Sequence, residues 1–234
     1  MMAHRSWSKG FTKENHTSIR KISETMKRKK IDNFKAWRDR MRKSGKIKSE
    51  YPELIKNGDL AELIGVVLGD GHIGTFPRSE CLRITGNSNN PRFISRYAML
   101  LEKVFGKKAT VARVKASKAT TITIYEKHIS RRLKIPAGDR KDIYAPVPRW
   151  ILKEREFMIR YLRGLYEAEG SYGVHLPTYT HKFLFSNTNQ ALLNNVVKLL
   201  KVLGFSPHSD SLRVQISKKA EVERAVELLE FRKY

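Results

Sequence analysis

A chain of 234 residues with 40% hydrophobic content is long enough for one large domain, or for two small ones sharing a core. Its 47 Lys and Arg against 23 Asp and Glu give a formal net charge of +24, which points to nucleic acid because phosphate neutralisation rewards Lys and Arg. No apolar run approaches the ~20 residues of a membrane helix, the single Cys81 excludes an intramolecular disulfide or a Cys-rich zinc site, and no signal-peptide core opens the chain; the expectation is an intracellular protein (cytoplasm, nucleoid or organelle matrix) with no membrane partner.

The charge is uneven. Residues 1–50 hold 16 Lys and Arg against five Asp and Glu, a local charge of +11. Within HTSIRKISETMKRKKIDNFKAWRDRMRKSG the apolar residues Ile19, Ile22, Met26, Ile31, Phe34, Trp37 and Met41 recur every three to five positions. That spacing predicts one or two basic helices whose apolar stripe is too thin for a large core. Residues 1–48 therefore read as a basic, helical N-terminal DNA-binding extension, either a solvated arm or one that orders on DNA. Gly45 to Gly58 reads as a linker.

From Asp59 the pattern changes and an internal repeat begins. The first copy, residues 59–143, runs through a helix ending at Asp70, the strand-like CLRITGNSN, the amphipathic PRFISRYAMLLEKVFG, and the strands TVARVKASK and TTITIYEK. YAPVPRWIL, Tyr144 to Leu152, reads as the connection. The second copy, residues 144–234, holds a helix ending at Glu169, then KFLFSNTN, the amphipathic QALLNNVVKLLKVLG, the strand LRVQISKK and the helix AEVERAVELLEF. Asp70 to Glu169 is 99 residues, Asn87 to Asn187 is 100, Gly106 to Gly204 is 98 and Arg113 to Arg213 is 100. Such a period implies two copies of one unit related by a pseudo-twofold axis, an α+β fold.

The two acid-bearing helices carry the chemistry. Gly65 and Gly69 lie four apart in the first, and Gly164 and Ala168 in the second. Residues at i and i+4 share a helix face, so each helix shows a stripe of very small residues that lets two backbones approach. Bulk at Gly65 should force the helices apart, whereas Val66 should sit off the contact. If the helices run side by side, Asp70 and Glu169 meet at one end, beside exposed carbonyls and the negative ends of both helix dipoles. Gly71 and Gly170 follow as expected left-handed capping residues. Two carboxylates there repel, and a hard divalent cation relieves the repulsion. A lone GDG or EAEG reads as a turn or an ordinary helix end; two copies at the repeat period reverse that reading.

LIGVVLGDG (Leu63 to Gly71) and LRGLYEAEG (Leu162 to Gly170) resemble the paired motifs of the LAGLIDADG homing endonucleases, of the monomeric two-motif type. The resemblance covers about residues 59–234. It implies two pseudosymmetric αββαββα-type repeats forming a DNA-binding saddle. It also implies Mg²⁺-dependent hydrolysis of both strands of a long double-stranded DNA site, with Mn²⁺ as a possible substitute. By that resemblance Asp70 and Glu169 are the catalytic, metal-binding acids, one for each strand, assisted by the carbonyls of Gly69 and Ala168. Glu167 is expected to point away and take no part. Many relatives carry a Lys or Gln just past the first strand of each half. The matching positions here are Gly86-Asn87 and Ser186-Asn187, so Asn87 and Asn187 become the supporting candidates and a nicking or degenerate enzyme stays open. The stretch KGFTKENHTSIRKISETMKRKK resembles the small DNA-binding modules attached to such nucleases.

Alternate strand residues would read the major groove. Arg83, Arg113, Lys115 and Lys118 are the candidates in the first repeat, and Lys182, Arg213, Gln215 and Lys218 in the second. Arg113-Val114-Lys115 should place Val114 on a core face. His72 and His175 read as ordinary polar loop positions. The rival reading is an RNA maturase acting on intron RNA, or a non-catalytic DNA-binding regulator on the same scaffold; retention of both acids favours the nuclease.

Overall fold

The computed structural model describes residues 8–46, 48, 50–139 and 143–234; residues 1–7 and Ile47 of the expected arm, and 140–142 at the end of the expected first repeat, lie outside the described residues. The chain divides into two compact units, Met1–Tyr51 and Pro52–Tyr234.

The first unit holds two helices, α1 (Thr17–Arg28) and α2 (Lys35–Lys43), and neither buries a residue. Their apolar positions are too sparse to cover one another, so Ile22, Ile31, Phe34 and Trp37 remain exposed. Local ion pairs decorate the surface, including Arg20 Nε to Glu24 at 3.2 Å and Arg38 with Asp32.

The second unit contains the repeat. The first copy runs α3 (Gly58–Asp70), β1 (Gly71–Phe76), β2 (Ser79–Asn87), α4 (Pro91–Phe105), β3 (Thr110–Arg113), β4 (Ala119–Glu126) and α5 (Ile129–Leu133). The second runs α6 (Arg155–Glu169), β5 (Gly170–His175), β6 (Thr180–Ser186), α7 (Gln190–Val202), β7 (His208–Ser209), β8 (Arg213–Ile216) and α8 (Lys219–Leu228). Each copy is thus αββαββα, and its antiparallel sheet has the same strand order, β1-β2-β4-β3 and β5-β6-β8-β7.

Local chemistry sets these boundaries. Asn57, Asn90 and Asn189 each cap a helix: their side chains accept from Leu60 N (2.9 Å), Phe93 N (3.2 Å) and Ala191 N (2.9 Å). Pro91 occupies the first turn of α4, where its missing N–H costs nothing. Gly106 closes the same helix in left-handed backbone, φ 61°. Along β2, Leu82 and Ile84 are buried while Arg83 and Thr85 face outward. Phe183 and Phe185 on β6, with Val214 and Ile216 on β8, do the same for the second sheet. α4 covers the first sheet with Phe93, Tyr97, Leu101 and Phe105; α7 and α8 cover the second with Leu193, Val196, Leu200, Val222 and Ala225.

Two expectations need correction. Val114 is exposed, because β3 is an edge strand that ends at Arg113. Val114 to Lys118 is instead the β3–β4 connection, turning through Ala116 at φ 58°. Val66 is fully buried, and its amide nitrogen would lie 2.7 Å from a Cβ added to Gly164, so it belongs to the helix contact. The connection YAPVPRWIL lies between α5 and α6 and ends in a 3₁₀ turn, Ile151–Lys153, whose Ile151 is fully buried; its reading as a connection needs no change.

One feature of the repeat interface has no echo in either motif. Glu62 on α3 is completely buried. It accepts two bonds from Arg96 of α4, from Nε at 2.7 Å and Nη2 at 2.8 Å, and one from Arg160 Nε of α6 at 2.6 Å. Arg160 also donates to Asp59 at 2.6 Å.

Candidate metal and DNA site

The small residues of α3 and α6 meet as their spacing predicts. A Cβ on Gly65 would collide with the Tyr161 carbonyl and lie 3.0 Å from the Leu165 nitrogen. One on Gly164 would collide with the Glu62 carbonyl. One on Gly69 would run into the Ala168 Cβ and stand 3.2 Å from the Glu169 Cγ. Backbone therefore packs on backbone at Gly65 and Gly164, Gly69 receives the Ala168 methyl one turn later, and the acids that end the helices are neighbours.

Their electrostatics agree. The Asp70 carboxyl is pushed up to about 7, first by the desolvation of its surroundings and then by the charge of Glu169. Glu169 is half-buried, and burial raises its carboxyl as well. A cation between them would relieve both the desolvation and the repulsion. Among the described residues no group of three or more His, Cys, Asp and Glu assembles, so the protein supplies a pair of hard oxygen donors rather than a closed cage. That donor set suits Mg²⁺, which keeps several waters and takes one or two carboxylates plus phosphate oxygens.

Gly71 and Gly170 are not left-handed caps, contrary to expectation. Both are extended, at φ −83° and −88°, and begin β1 and β5. Glycine is required because the strand doubles back against the helix. A Cβ on Gly71 would lie 2.6 Å from Val67 Cα, and one on Gly170 would lie 2.8 Å from Tyr166 Cδ1. The chain therefore leaves each acid at a fixed angle.

The supporting positions differ between halves. Asn187 reaches Glu169, with Nδ2 3.5 Å from Oε1, while its own Oδ1 accepts from Asn189 N at 2.8 Å. Asn87 makes the same turn bond, Oδ1 from Asn89 N at 2.9 Å. A larger residue at Gly86 is barred, because even a Cβ would come within 2.8 Å of the Phe93 ring. Glu167 is buried and turned away from the pair, accepting from the Arg232 backbone N–H at 2.6 Å and from the Tyr234 hydroxyl. Beside the acids lies a cleft of about 260 Å³ lined by Gly69, His72, Gly138, Asp139, Asn187 and Thr188. Asp139 carried no sequence signal: it stands in a loop, outside any repeat landmark.

The basic candidates spread along both sheets. Arg83 projects from the outer face of β2, opposite His72 and Thr123. Lys182 pairs across from Gly173, and Gln215 across from Leu184 and His208. Arg113 shares its register row with Thr120 and Gly86, the opposite parity from Arg83, and is exposed because it lies at a strand end. Lys115 and Lys118 sit in the exposed β3–β4 connection, where the Lys118 carbonyl accepts from Ser88 N at 2.8 Å. Arg213 begins β8. Lys218 lies beyond that strand, caps α8 and pairs with Glu221 at 3.3 Å. The second hairpin adds exposed Tyr172, Leu176 and Tyr179, and His175 Nδ1 lies 2.9 Å from Thr178 Oγ1.

The sequence matches no family model, and a search of curated proteins gives no match. Solved structures do match. Mesophilic variants of the homing endonuclease I-DmoI align at TM-score 0.53 and 20% identity, over 74% of this chain and 94% of theirs. An I-DmoI variant in complex with its target DNA and manganese aligns at TM-score 0.52 and 20% identity, over 75% and 95%. The N-terminal LAGLIDADG domain of DUF199/WhiA aligns at TM-score 0.52 and 16% identity, over 79% and 89%. The chain has the two-repeat LAGLIDADG fold.

Proposed function

We propose that this chain is a site-specific endonuclease that hydrolyses both strands of double-stranded DNA with a divalent cation, Mg²⁺ or Mn²⁺, held by Asp70 and Glu169. The observation that carries the reading is the convergence of those two carboxylates at adjacent helix ends, each raised by its surroundings. The Gly69 and Ala168 carbonyls would assist, and a cleft lined by Gly69 and Asn187 supports the reading. A bound cation supplies positive charge against the phosphate and makes a nearby water more acidic. The chain's own residues do the rest. The helix contact fixes the spacing of the acids, Asn187 orients Glu169, and the basic rows on both sheets hold the backbone in register. The complexes of I-DmoI with its target DNA and manganese support the same use of this fold.

A second reading, a DNA-binding regulator that does not cut, is favoured by the likeness to the WhiA domain and by the glycine at position 86, where the Phe93 ring leaves no room for a Lys or Gln. One experiment separates them: incubate the purified chain with a randomised double-stranded DNA library and Mg²⁺, and sequence the ends. Cleavage at one recurring sequence, lost in Asp70→Asn, supports the nuclease. Enrichment of bound but uncut sequences by the wild-type chain supports the regulator.

A further inference from the structure

The end of the chain folds back onto the Glu169 end of α6. It does so through two non-glycine residues in left-handed backbone, Glu230 at φ 45° and Arg232 at φ 53°. Such conformations persist only where the surroundings over-determine them, and here they do. The Arg232 backbone N–H donates to Glu167 Oε1 at 2.6 Å, and the Tyr234 hydroxyl donates to the other oxygen of that carboxylate. Arg232 Nη2 donates to the Gly170 carbonyl at 3.3 Å. Arg163, one turn earlier on α6, pairs with Glu230 and donates to the Lys233 carbonyl at 3.0 Å. Arg92 of α4 donates to the Tyr234 backbone oxygen at 3.2 Å. Phe231 anchors the segment in the core, edge-on to Phe183 at 5.1 Å, and Phe183 stacks on Tyr166 of α6 at 4.3 Å.

Arg232 thus grips the positions on both sides of Glu169: Glu167 two residues before it and Gly170 immediately after. The chain after α5 also returns to this end of α3, Gly138 N–H donating to the Ile73 carbonyl at 2.9 Å and Gly138 and Asp139 lining a cleft with Gly69, but position 68 offers it no carboxylate to grip. At the repeat offset of 99 residues, Arg163 and Glu167 correspond to Ile64 and Leu68. Those two side chains line an apolar cleft of about 600 Å³ instead of meeting a polar strap. The Asp70 end is held by the helix contact, the turn into β1 and the Gly138 bond to Ile73; the Glu169 end is held by five residues of chain bonded to the carboxylate and the carbonyl on either side of it.

We propose that Glu230–Tyr234 is a positioning strap for Glu169, and that the two strand cuts therefore depend on it unequally. The inference rests on the endonuclease reading. Arg232 is a positioning residue: its guanidinium and amide set the backbone around the acid.

The test uses the full chain and a supercoiled plasmid carrying a target recovered from the library. Arg232→Ala should cut one strand at the wild-type rate and the other roughly 10- to 100-fold more slowly, the scale of a displaced reacting group. Nicked circles should accumulate with the break always in the same strand. Arg232→Lys keeps a donor for the Gly170 carbonyl and should restore linear product. Tyr234→Phe, which removes only one hydroxyl, should show the same strand bias more weakly. Calorimetric Ca²⁺ titration of each protein on uncut target DNA gives a readout without turnover, and Arg232→Ala should weaken it while DNA affinity stays unchanged. Equal slowing of both strands, or wild-type Ca²⁺ binding in Arg232→Ala, overturns the strap. A wild-type chain that cuts nothing overturns the endonuclease reading instead, and the Ca²⁺ titration then still decides the strap.

Discussion

Substituting Gly65 by Ala isolates the helix contact from everything else, because the added atom is one methyl group on a residue that touches no DNA. Two effects oppose each other. Ala is the better helix former by about 0.8–1 kcal/mol. Against this, the new Cβ collides with the Tyr161 carbonyl and stands 3.0 Å from Leu165 N and 3.1 Å from Gly164 Cα. All three are backbone atoms, so no rotamer change can relieve them, and α3 and α6 must separate. Overpacking of this kind typically costs ~1–3 kcal/mol, which exceeds the helix-propensity gain over most of that range. At roughly 2–4 °C per kcal/mol for a unit of this size, the melting temperature should fall by several degrees. Cleavage should fall further than stability, because the acids ride on the helices being pushed apart. Gly74→Ala is the control: its Cβ meets nothing closer than the His72 ring at 3.6 Å, so both quantities should stay near wild type. Differential scanning calorimetry with single-turnover cleavage decides the matter. A Gly65→Ala chain that melts at or above wild type and cuts at the wild-type rate would refute the backbone contact and the placement of the acids built on it.

Asp70→Asn and Glu169→Gln should each abolish double-strand cleavage while leaving target affinity, measured in Ca²⁺, within a fewfold of wild type; a double variant that cuts at the normal rate would remove the acids from the mechanism. Asp70 also has a pH signature. Its carboxyl ordinarily titrates near 3.8 and is raised to about 7 in the folded chain, so the folded state holds the extra proton between those values. Its contribution to stability is therefore present at low pH and lost as pH rises through 7. In metal-free protein the melting temperature of Asp70→Asn should gain on wild type across that window, and parallel melting curves from pH 4 to pH 8 would contradict it. Removing residues 1–51 should leave a folded remainder with weaker DNA binding, and the slope of log K against log salt should flatten by ~0.9 per lost phosphate contact. An unchanged slope would mean the basic arm does not touch DNA.

Much of this site could be read from the chain because its logic is local or periodic. The amphipathic stretches from Pro91 and Gln190 mark their helices, and a repeat offset near 99 residues ties Asp70 to Glu169. The small-residue stripe is likewise a spacing. What stayed hidden depends on contacts that no period encodes. Gly71 and Gly170 looked like left-handed caps because Gly after a helix usually is one. Only the close return of the strand against Val67 and Tyr166 shows that close approach, not φ, demands them. Val114 obeyed the alternation rule, yet the strand on which alternation would matter ends one residue earlier. Glu62, Asp139 and the strap at Glu230–Tyr234 gain their roles from partners 34 to 98 positions away in the case of Glu62, and 67 away in the bond from Tyr234 to Glu167.

The buried Glu62 cluster bears on how a duplicated chain stays a heterodimer of its own halves. Position 62 corresponds to Tyr161 in the other copy, and Arg160 corresponds to Ala61. Two first repeats brought together would bury two Glu62 carboxylates without Arg160. Two second repeats would leave the half-buried Arg160 without Glu62. Each like-with-like pairing thus forfeits the ion pair across the helices twice, each Glu62 keeping only the Arg96 of its own copy in the first case, while the glycine stripes alone would tolerate either. Glycines make the two helices able to touch; the carboxylate shared by Arg96 and Arg160 makes them choose each other. Under the endonuclease proposal, a chain whose two unlike halves find each other could address a target without palindromic symmetry.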